Sequence, residues 1–277
     1  MTFDALGLGA LDYLPCRYGT SKLMFRGPKR DLGQPYIAFI GGTETYGKFL
    51  AKPFPLLVEE ELGRTSVNFG VPNAGIDVFV NDPFVIGAAA QADVAVIQIL
   101  GAQNMTNRFY AVHPRRNDRF VSASALLGTI FREVDFADFH YTKHMLGRLL
   151  EVSPDRFATV LQELRQAWLA RMRLMLGQVR GKTILLWLSE HPPVDEGRGP
   201  PLSIGADPLF ITRHMVDEIS SHATEVVEVV SSIQARRTGT DGMIFGEMEA
   251  MAADEMLGHQ AHIEAADALV YALRRLL

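Results

Sequence analysis

In Tyr36-Ile-Ala-Phe-Ile-Gly-Gly-Thr-Glu-Thr-Tyr-Gly47 a short apolar run meets two glycines, a threonine and then helix-like sequence. Residues 36–40 lack strict alternation, which suits a strand covered on both faces in a parallel sheet. Gly41 and Gly42 allow the positive φ or close backbone approach that a sharp strand-to-helix turn requires. Thr43 then stands at the mouth of the turn, where α/β proteins bind ligands outside the carboxyl ends of their strands. A hydroxyl presented at a sheet edge is the expected result.

The same logic extends along the chain. Residues 65–71 read as a second strand, closing on the turn chemistry of Pro72-Asn-Ala-Gly75. Residues 92–100 are the clearest strand, ended by Gly101-Ala-Gln-Asn104; residues 182–189 are another, ended by Glu190-His-Pro-Pro193. Residues 224–230 are a short β-branched strand. Helical spacing fills the intervals. It runs from Thr43 to Gly63 with a break at Lys52-Pro-Phe-Pro55, over 82–91 behind an Asp82 cap, and over 122–132. It returns over 141–150, over 153–177 behind Ser153-Pro154, over 207–222, and over 261–277. Strands alternating with helices predict a parallel sheet covered on both faces, and right-handed crossovers gather the strand ends along one edge. Residues 36–277 read as one domain with a helical insertion at about 141–177. Residues 1–35 read as an irregular arm packed on that domain or on a neighbouring subunit.

Composition narrows the functional classes. The net charge of −5 among 277 residues argues against a general nucleic-acid binder, which leaves a basic footprint. Cys16 is the single cysteine, so an intrachain disulfide and a cysteine-rich zinc site are both excluded. The start Met1-Thr-Phe-Asp4 lacks the basic region of a secretory signal, and a cytoplasmic protein is expected. No run of about 18 apolar residues predicts a membrane span. Neither a phosphate-binding Gly-x-x-x-x-Gly-Lys nor a Gly-x-Gly-x-x-Gly motif occurs, so no cofactor is expected. The methionine cluster at 243–256 with Phe245 suits core packing or a subunit surface, which leaves homo-oligomerisation open.

Four short blocks carry a resemblance. They are Gly41-Gly-Thr-Glu-Thr-Tyr-Gly47, Asn68-Phe-Gly-Val-Pro-Asn-Ala-Gly75, Gly101-Ala-Gln-Asn104 and His259-Gln-Ala-His262. In order and spacing the set resembles the SGNH/GDSL hydrolase superfamily, whose blocks open with Gly-Asp-Ser and close with Asp-x-x-His. The resemblance implies a three-layer, flavodoxin-like (SGNH-type) α/β sheet and an ester hydrolase or acyltransferase acting on a small polar or saccharide substrate. It places Thr43 as nucleophile and His262 as base. His259 stands where the acidic triad member belongs, and the Gly70 and Thr43 N–H groups with the Gln103 or Asn104 amide donate to the oxyanion. A hydroxyl needs a base to lose its proton, and the developing oxyanion needs fixed donors. Gly42 replaces the aspartate that precedes the nucleophile, and threonine adds a methyl that restricts χ1. A neutral His259 cannot stabilise an imidazolium as a carboxylate does, so Glu44, Asp254 or Glu255 is left to supply the charge.

Each residue also has a structural use. Thr43 suits a helix cap, Asn68 and Asn104 suit tight turns, and His262 suits a helix surface. The loop at 107–119 is the candidate for substrate recognition. Asn107, Arg108, Tyr110, His113, Arg115, Arg116 and Arg119 offer charge-assisted bonds to an anionic, saccharide-like ligand; the alternative is a solvated loop paired with acids. Gly42, Glu44, Asn68 and His191 complete the substrate-side set. His259-x-x-His262 lacks a third ligand, so no metal is expected. The alternative to catalysis is a non-hydrolytic binding protein that reads an anionic ligand through the 107–119 loop.

Overall fold

Strand β1 (Tyr36–Gly41) has every residue buried and lies inside a parallel sheet, as its unalternating apolar sequence predicts. The structure is a computed structural model that describes residues 11–195 and 203–277. The further strands are β2 (Thr65–Gly70), β3 (Val94–Gln98), β4 (Tyr110–His113), β5 (Arg116–Ala123), β6 (Lys182–Ser189) and β7 (Glu225–Val230). The helices are α1 (Thr43–Tyr46), α2 (Phe54–Leu62), α3 (Ile76–Val80), α4 (Pro83–Gln91), α5 (Ala125–Ile130) and α6 (Thr142–Val152). They continue with α7 (Pro154–Gln178), α8 (Arg213–Ser220), α9 (Ile233–Thr238), α10 (Ala250–Ala253) and α11 (His259–Leu276).

Five strands form one parallel sheet in the order β2-β1-β3-β6-β7. This is the flavodoxin-like order, which reverses direction between β1 and β3 and opens a crevice there at the strand ends. Alternate side chains divide into two cores, because successive residues of a strand face opposite ways. On one face Ala38, Ile40, Ile97 and Trp187 pack under helices that include α3, α4 and α7. On the other, Ile37, Phe39, Val96 and Leu186 meet Phe54 and Val58 of α2 and Ala265, Leu269 and Leu273 of α11. The result is a three-layer α/β fold.

Local signals predict several boundaries well. Asp82 Oδ1 accepts the Phe84 and Val85 N–H groups at 3.1 and 3.2 Å and starts α4 with Pro83 at the first helical position. Ser153 caps α7 through the Arg156 N–H. In the N-terminal arm the described residues enter the core: the Tyr18 and Phe25 rings lie 5.4 and 5.2 Å from Phe69. Arg26 sends its guanidinium to four carbonyls, one at the end of α1 and three in the segment that follows it.

Other expectations are corrected. The segment 105–119 is not a loop throughout, because 110–113 and 116–123 pair as an antiparallel hairpin separate from the main sheet. The helix expected over 122–132 contracts to α5, since its first residues are taken up by that pairing. The helix expected over 207–222 begins only at Arg213, where the Thr212 hydroxyl accepts the Met215 N–H. Helix α1 is a single turn ended by Gly47 at φ 72.

Candidate active site at the ends of β1, β2 and β3

The turn after β1 is held from beneath by Gln98, the last residue of β3. Its Oε1 accepts the Gly42 N–H at 3.0 Å, the Thr45 N–H at 3.3 Å and the Thr45 hydroxyl at 2.7 Å. One buried amide oxygen therefore fastens the start of α1 to the neighbouring strand. Gly42 is the helix cap and offers no side chain, so Thr43 becomes the first helical residue with its hydroxyl free for other work. That hydroxyl accepts the Asn73 N–H at 2.9 Å and donates to Asn73 Oδ1 at 3.3 Å.

Asn73, in the turn after β2 with φ 55, passes the connection on. Its carbonyl accepts from Asn104 Nδ2 at 3.4 Å, and Asn104 Oδ1 accepts the Thr142 hydroxyl at 2.6 Å. Thr43, Asn73 and Asn104 thus form one polar row across the ends of three strands. Three of the four sequence blocks meet there, beside the β1/β3 crevice. Gly75 makes the approach possible, because a Cβ at that position would run into the Asn104 carbonyl oxygen.

The fourth block arrives differently from expectation. His262 is fully buried; its Nδ1 accepts the Phe54 N–H at 3.2 Å and its Nε2 lies 3.3 Å from Glu44 Oε2. Accepting at Nδ1 puts the ring proton on Nε2, which donates to the carboxylate. The imidazole is thus spoken for on both sides, and the expected direct His262–Thr43 pair gives way to Thr43–Asn73 and Glu44–His262. Of the acids left open by the sequence, Glu44 is the partner of the histidine. Nor is His262 on a helix surface, since the Phe54 ring lies 5.7 Å from its own. His259 does not orient His262; a Cβ on Gly242 would touch its ring.

Two of the expected oxyanion donors, the Gly70 N–H and the Gln103 amide, are committed elsewhere. The Gly70 N–H bonds Asn68 Oδ1 at 2.8 Å while Asn68 Nδ2 reaches the Thr45 carbonyl at 2.7 Å, so both serve the turn. Gln103 is buried and its Nε2 donates to Asp207 Oδ1 at 2.9 Å. Asn104 alone of the expected side-chain donors stands in the row.

The 107–119 residues divide in the same way. Asn107 Oδ1 accepts the Phe109 and Tyr110 N–H groups, a local turn. Arg108 pairs with Glu163 through Nε at 2.6 Å. The Tyr110 hydroxyl donates to the Gln103 carbonyl at 2.6 Å, and burial pushes its pKa up. Asn107 and Tyr110 are thereby committed within the fold, and Arg108 gives one edge to Glu163 while its side chain stays 66% exposed. His113 Nδ1 accepts the Arg115 N–H at 3.3 Å, and Arg115 and Arg116 are exposed at the hairpin tip. His191 leans edge-on against Trp187, outside the polar row.

Three positioning residues escape the sequence reading. Asn117 is fully buried in β5, accepts the Gly75 and Val78 N–H groups at 3.2 and 3.1 Å, and donates to the His113 carbonyl at 3.0 Å. It ties the hairpin to the turn that carries Asn73. Arg26 clamps the segment after α1. Gln98 left a trace, as an amide inside an otherwise apolar strand; Asn117 and Arg26 left none, because their partners lie far along the chain.

A family model described as "Domain of unknown function (DUF6473)" matches residues 1–277. No curated protein matches the sequence. Among solved structures, the lipase Lip_vut3 from a goat rumen metagenome is similar at 12% identity and a TM-score of 0.44, over 86% of this chain and 97% of that one. A likeness of that size says nothing of this chain's chemistry. Among the described residues no helix is long and apolar enough to cross a membrane, and no cluster of three or more His, Cys, Asp or Glu side chains could hold a metal ion.

Proposed function

Given that the chain belongs to the DUF6473 family, we propose that it is an SGNH-like hydrolase or acyltransferase acting on an ester of a small polar or saccharide compound. Glu44 is its base, and the Thr43–Asn73–Asn104 row is its substrate ledge. The observation that carries the proposal is the Nε2–H to carboxylate bond between His262 and Glu44 at 3.3 Å. It holds the carboxylate of the residue that follows Thr43 in one orientation beyond the end of β1. The order of the usual triad is inverted: the imidazole orients and the carboxylate takes the proton. As the oxygen of water or an acceptor alcohol adds to the ester carbonyl, its proton passes to Glu44. When the tetrahedral intermediate collapses, the departing alkoxide receives that proton. Thr43 and the Asn104 amide hydrogen-bond the ester.

Short-chain nitrophenyl esters and O-acetylated saccharides test this chemistry. Glu44→Gln is expected to lower kcat by about a hundredfold or more, the usual scale for a general base. Thr43→Ala is expected to cost about tenfold in kcat/KM. Turnover unchanged in Glu44→Gln would sink the assignment. Covalent labelling of Thr43 by a fluorophosphonate, with turnover abolished in Thr43→Ala, would restore the threonine as nucleophile.

The second reading is a non-hydrolytic binding protein. It is favoured by the Thr43 hydroxyl donating to an amide oxygen, which is no base. No turnover of any ester, with saccharide binding abolished by Asn73→Ala, would decide for it.

A further inference from the structure

Arg119, in β5, lies with its guanidinium over the ring of Tyr141, 4.1 Å from the ring centroid. The two residues also form a backbone bridge. Among the described residues no carboxylate pairs with this guanidinium, and its Nε is shut off from solvent with no hydrogen-bond partner. Other arginines of the fold are supplied with acceptors. Arg26 has four carbonyls, Arg108 has Glu163, and Arg171 has Asp77 and the Thr106 carbonyl. The Arg119 Nε–H faces packed protein, so it is the two Nη groups, given no acceptor among the described residues and not shut off as Nε is, that are left to a ligand.

The position of the pair gives that acceptor a role. Tyr141 immediately precedes Thr142, whose hydroxyl contacts Asn104 Oδ1 at 2.6 Å and the carbonyl of Asp118, the neighbour of Arg119, at 3.5 Å. Asn104 in turn reaches the Asn73 carbonyl, and the Asn73 N–H bonds the Thr43 hydroxyl. The stacked pair is therefore next to the outer end of the polar row. Tyr141 is 44% exposed and Arg119 is partly exposed, so the pair meets solvent away from the buried Nε. Stacking fixes the plane of the guanidinium and leaves its edge for two parallel N–H bonds, the geometry that fits an oxyanion. Arg108 differs in having its charge paired, with its Nε and Nη2 given to Glu163.

We infer that Arg119, held flat on Tyr141, binds an oxyanion group of the ligand, a carboxylate, phosphate or sulfate, beside the Thr43–Asn73–Asn104 row. Assigning that group to a substrate rests on the proposed function; the binding itself does not.

Isothermal titration of the full chain with sodium sulfate, sodium phosphate and sodium acetate, each at ionic strength held constant with sodium chloride, tests the inference. At least one of the three is expected to bind saturably. Its dissociation constant should rise tenfold or more in Arg119→Gln, rise less in Arg119→Lys, which keeps the charge without the fork, and stay within twofold in Arg180→Gln, an exposed arginine outside the site. Arg Nε–H resonances provide a second readout in the unsubstituted protein, where one signal should move with the same midpoint. A saturable response unaltered by Arg119→Gln, with that variant folded by circular dichroism, overturns the inference. So does a non-saturating response common to all variants, which marks an adventitious ion only. None of these readouts needs turnover. Sulfate binding without ester hydrolysis removes the proposed chemistry and leaves the anion site, and hydrolysis without anion binding does the reverse.

Discussion

Replacing Arg26 by methionine tests how the segment behind the candidate site is held. Arg26 is 8% exposed, and its guanidinium donates to the Gly47 and Tyr46 carbonyls through Nη1, at 2.5 and 3.2 Å, and to the Leu50 and Ala51 carbonyls through Nη2, at 2.6 and 2.9 Å. The Gly47 and Leu50 bonds are buried, and the other two are partly open. Methionine fills much of the volume but leaves two buried carbonyls without donors, at about 1–3 kcal/mol each; the two outer carbonyls regain water. Against this stands relief from burying a charge, the same desolvation that lowers the Arg26 pKa. We expect a net loss of about 3 kcal/mol, well outside the roughly ±0.5 kcal/mol of ordinary surface changes. In urea, at a slope of about 3 kcal/mol per molar, the midpoint should fall by about 1 M with the slope unchanged. Arg26→Lys, with a compact ammonium in place of the fork, should fall between. A midpoint shift under about 0.3 M in Arg26→Met would refute the clamp.

Gly75→Ala drives a Cβ into the Asn104 carbonyl, and overpacking against backbone should cost about 2–3 kcal/mol and displace Asn104 from the row, seen as lost stability together with lost ligand response. Asn117→Ala removes both acceptor bonds at the start of α3 and the donor to His113; a loss of about 2 kcal/mol is expected in thermal or urea unfolding. Gln98→Leu preserves apolar packing in β3 but orphans the Gly42 and Thr45 N–H groups and the Thr45 hydroxyl, and should cost about 2–4 kcal/mol by the same assay. The hydrogen bond from Arg156 lowers the Glu133 pKa from 4.5 to about 2. A carboxyl depressed in the folded state stabilises above its ordinary value and loses that contribution as the pH falls from 4.5 toward 2. Carbon-detected NMR titration should place the midpoint near that low value and move it back up in Arg156→Gln.

How far the fold can be read from residue order depends on the range of the interaction. Residues 36–40 announce a covered strand because an unalternating apolar run has few other ways to be buried. Gly41-Gly42 and Gly101 announce breaks, and Asp82-Pro83 and Ser153-Pro154 announce helix starts, because turn and cap chemistry acts within a few residues. Strands alternating with helices carry the three-layer arrangement, and it places Thr43, Asn73 and Asn104 along one edge. The hairpin at 110–123 was hidden for the opposite reason: Arg-Asn-Asp-Arg of β5 has no strand-like pattern, and only pairing with β4 makes it one.

Tertiary structure alone decided which groups bond. The Glu44–His262 contact spans 218 residues, and the Phe54 N–H that occupies the other side of the ring lies 208 residues from it. Residue order brought His262 to a terminal helix, and the packing of α11 against α2 then chose its partners. The same holds for Asn117 beneath Gly75 and for Arg119 on Tyr141. A hydrogen bond needs its atoms within about 3 Å, and that tolerance belongs to the packed layers, not to the order of residues along the chain.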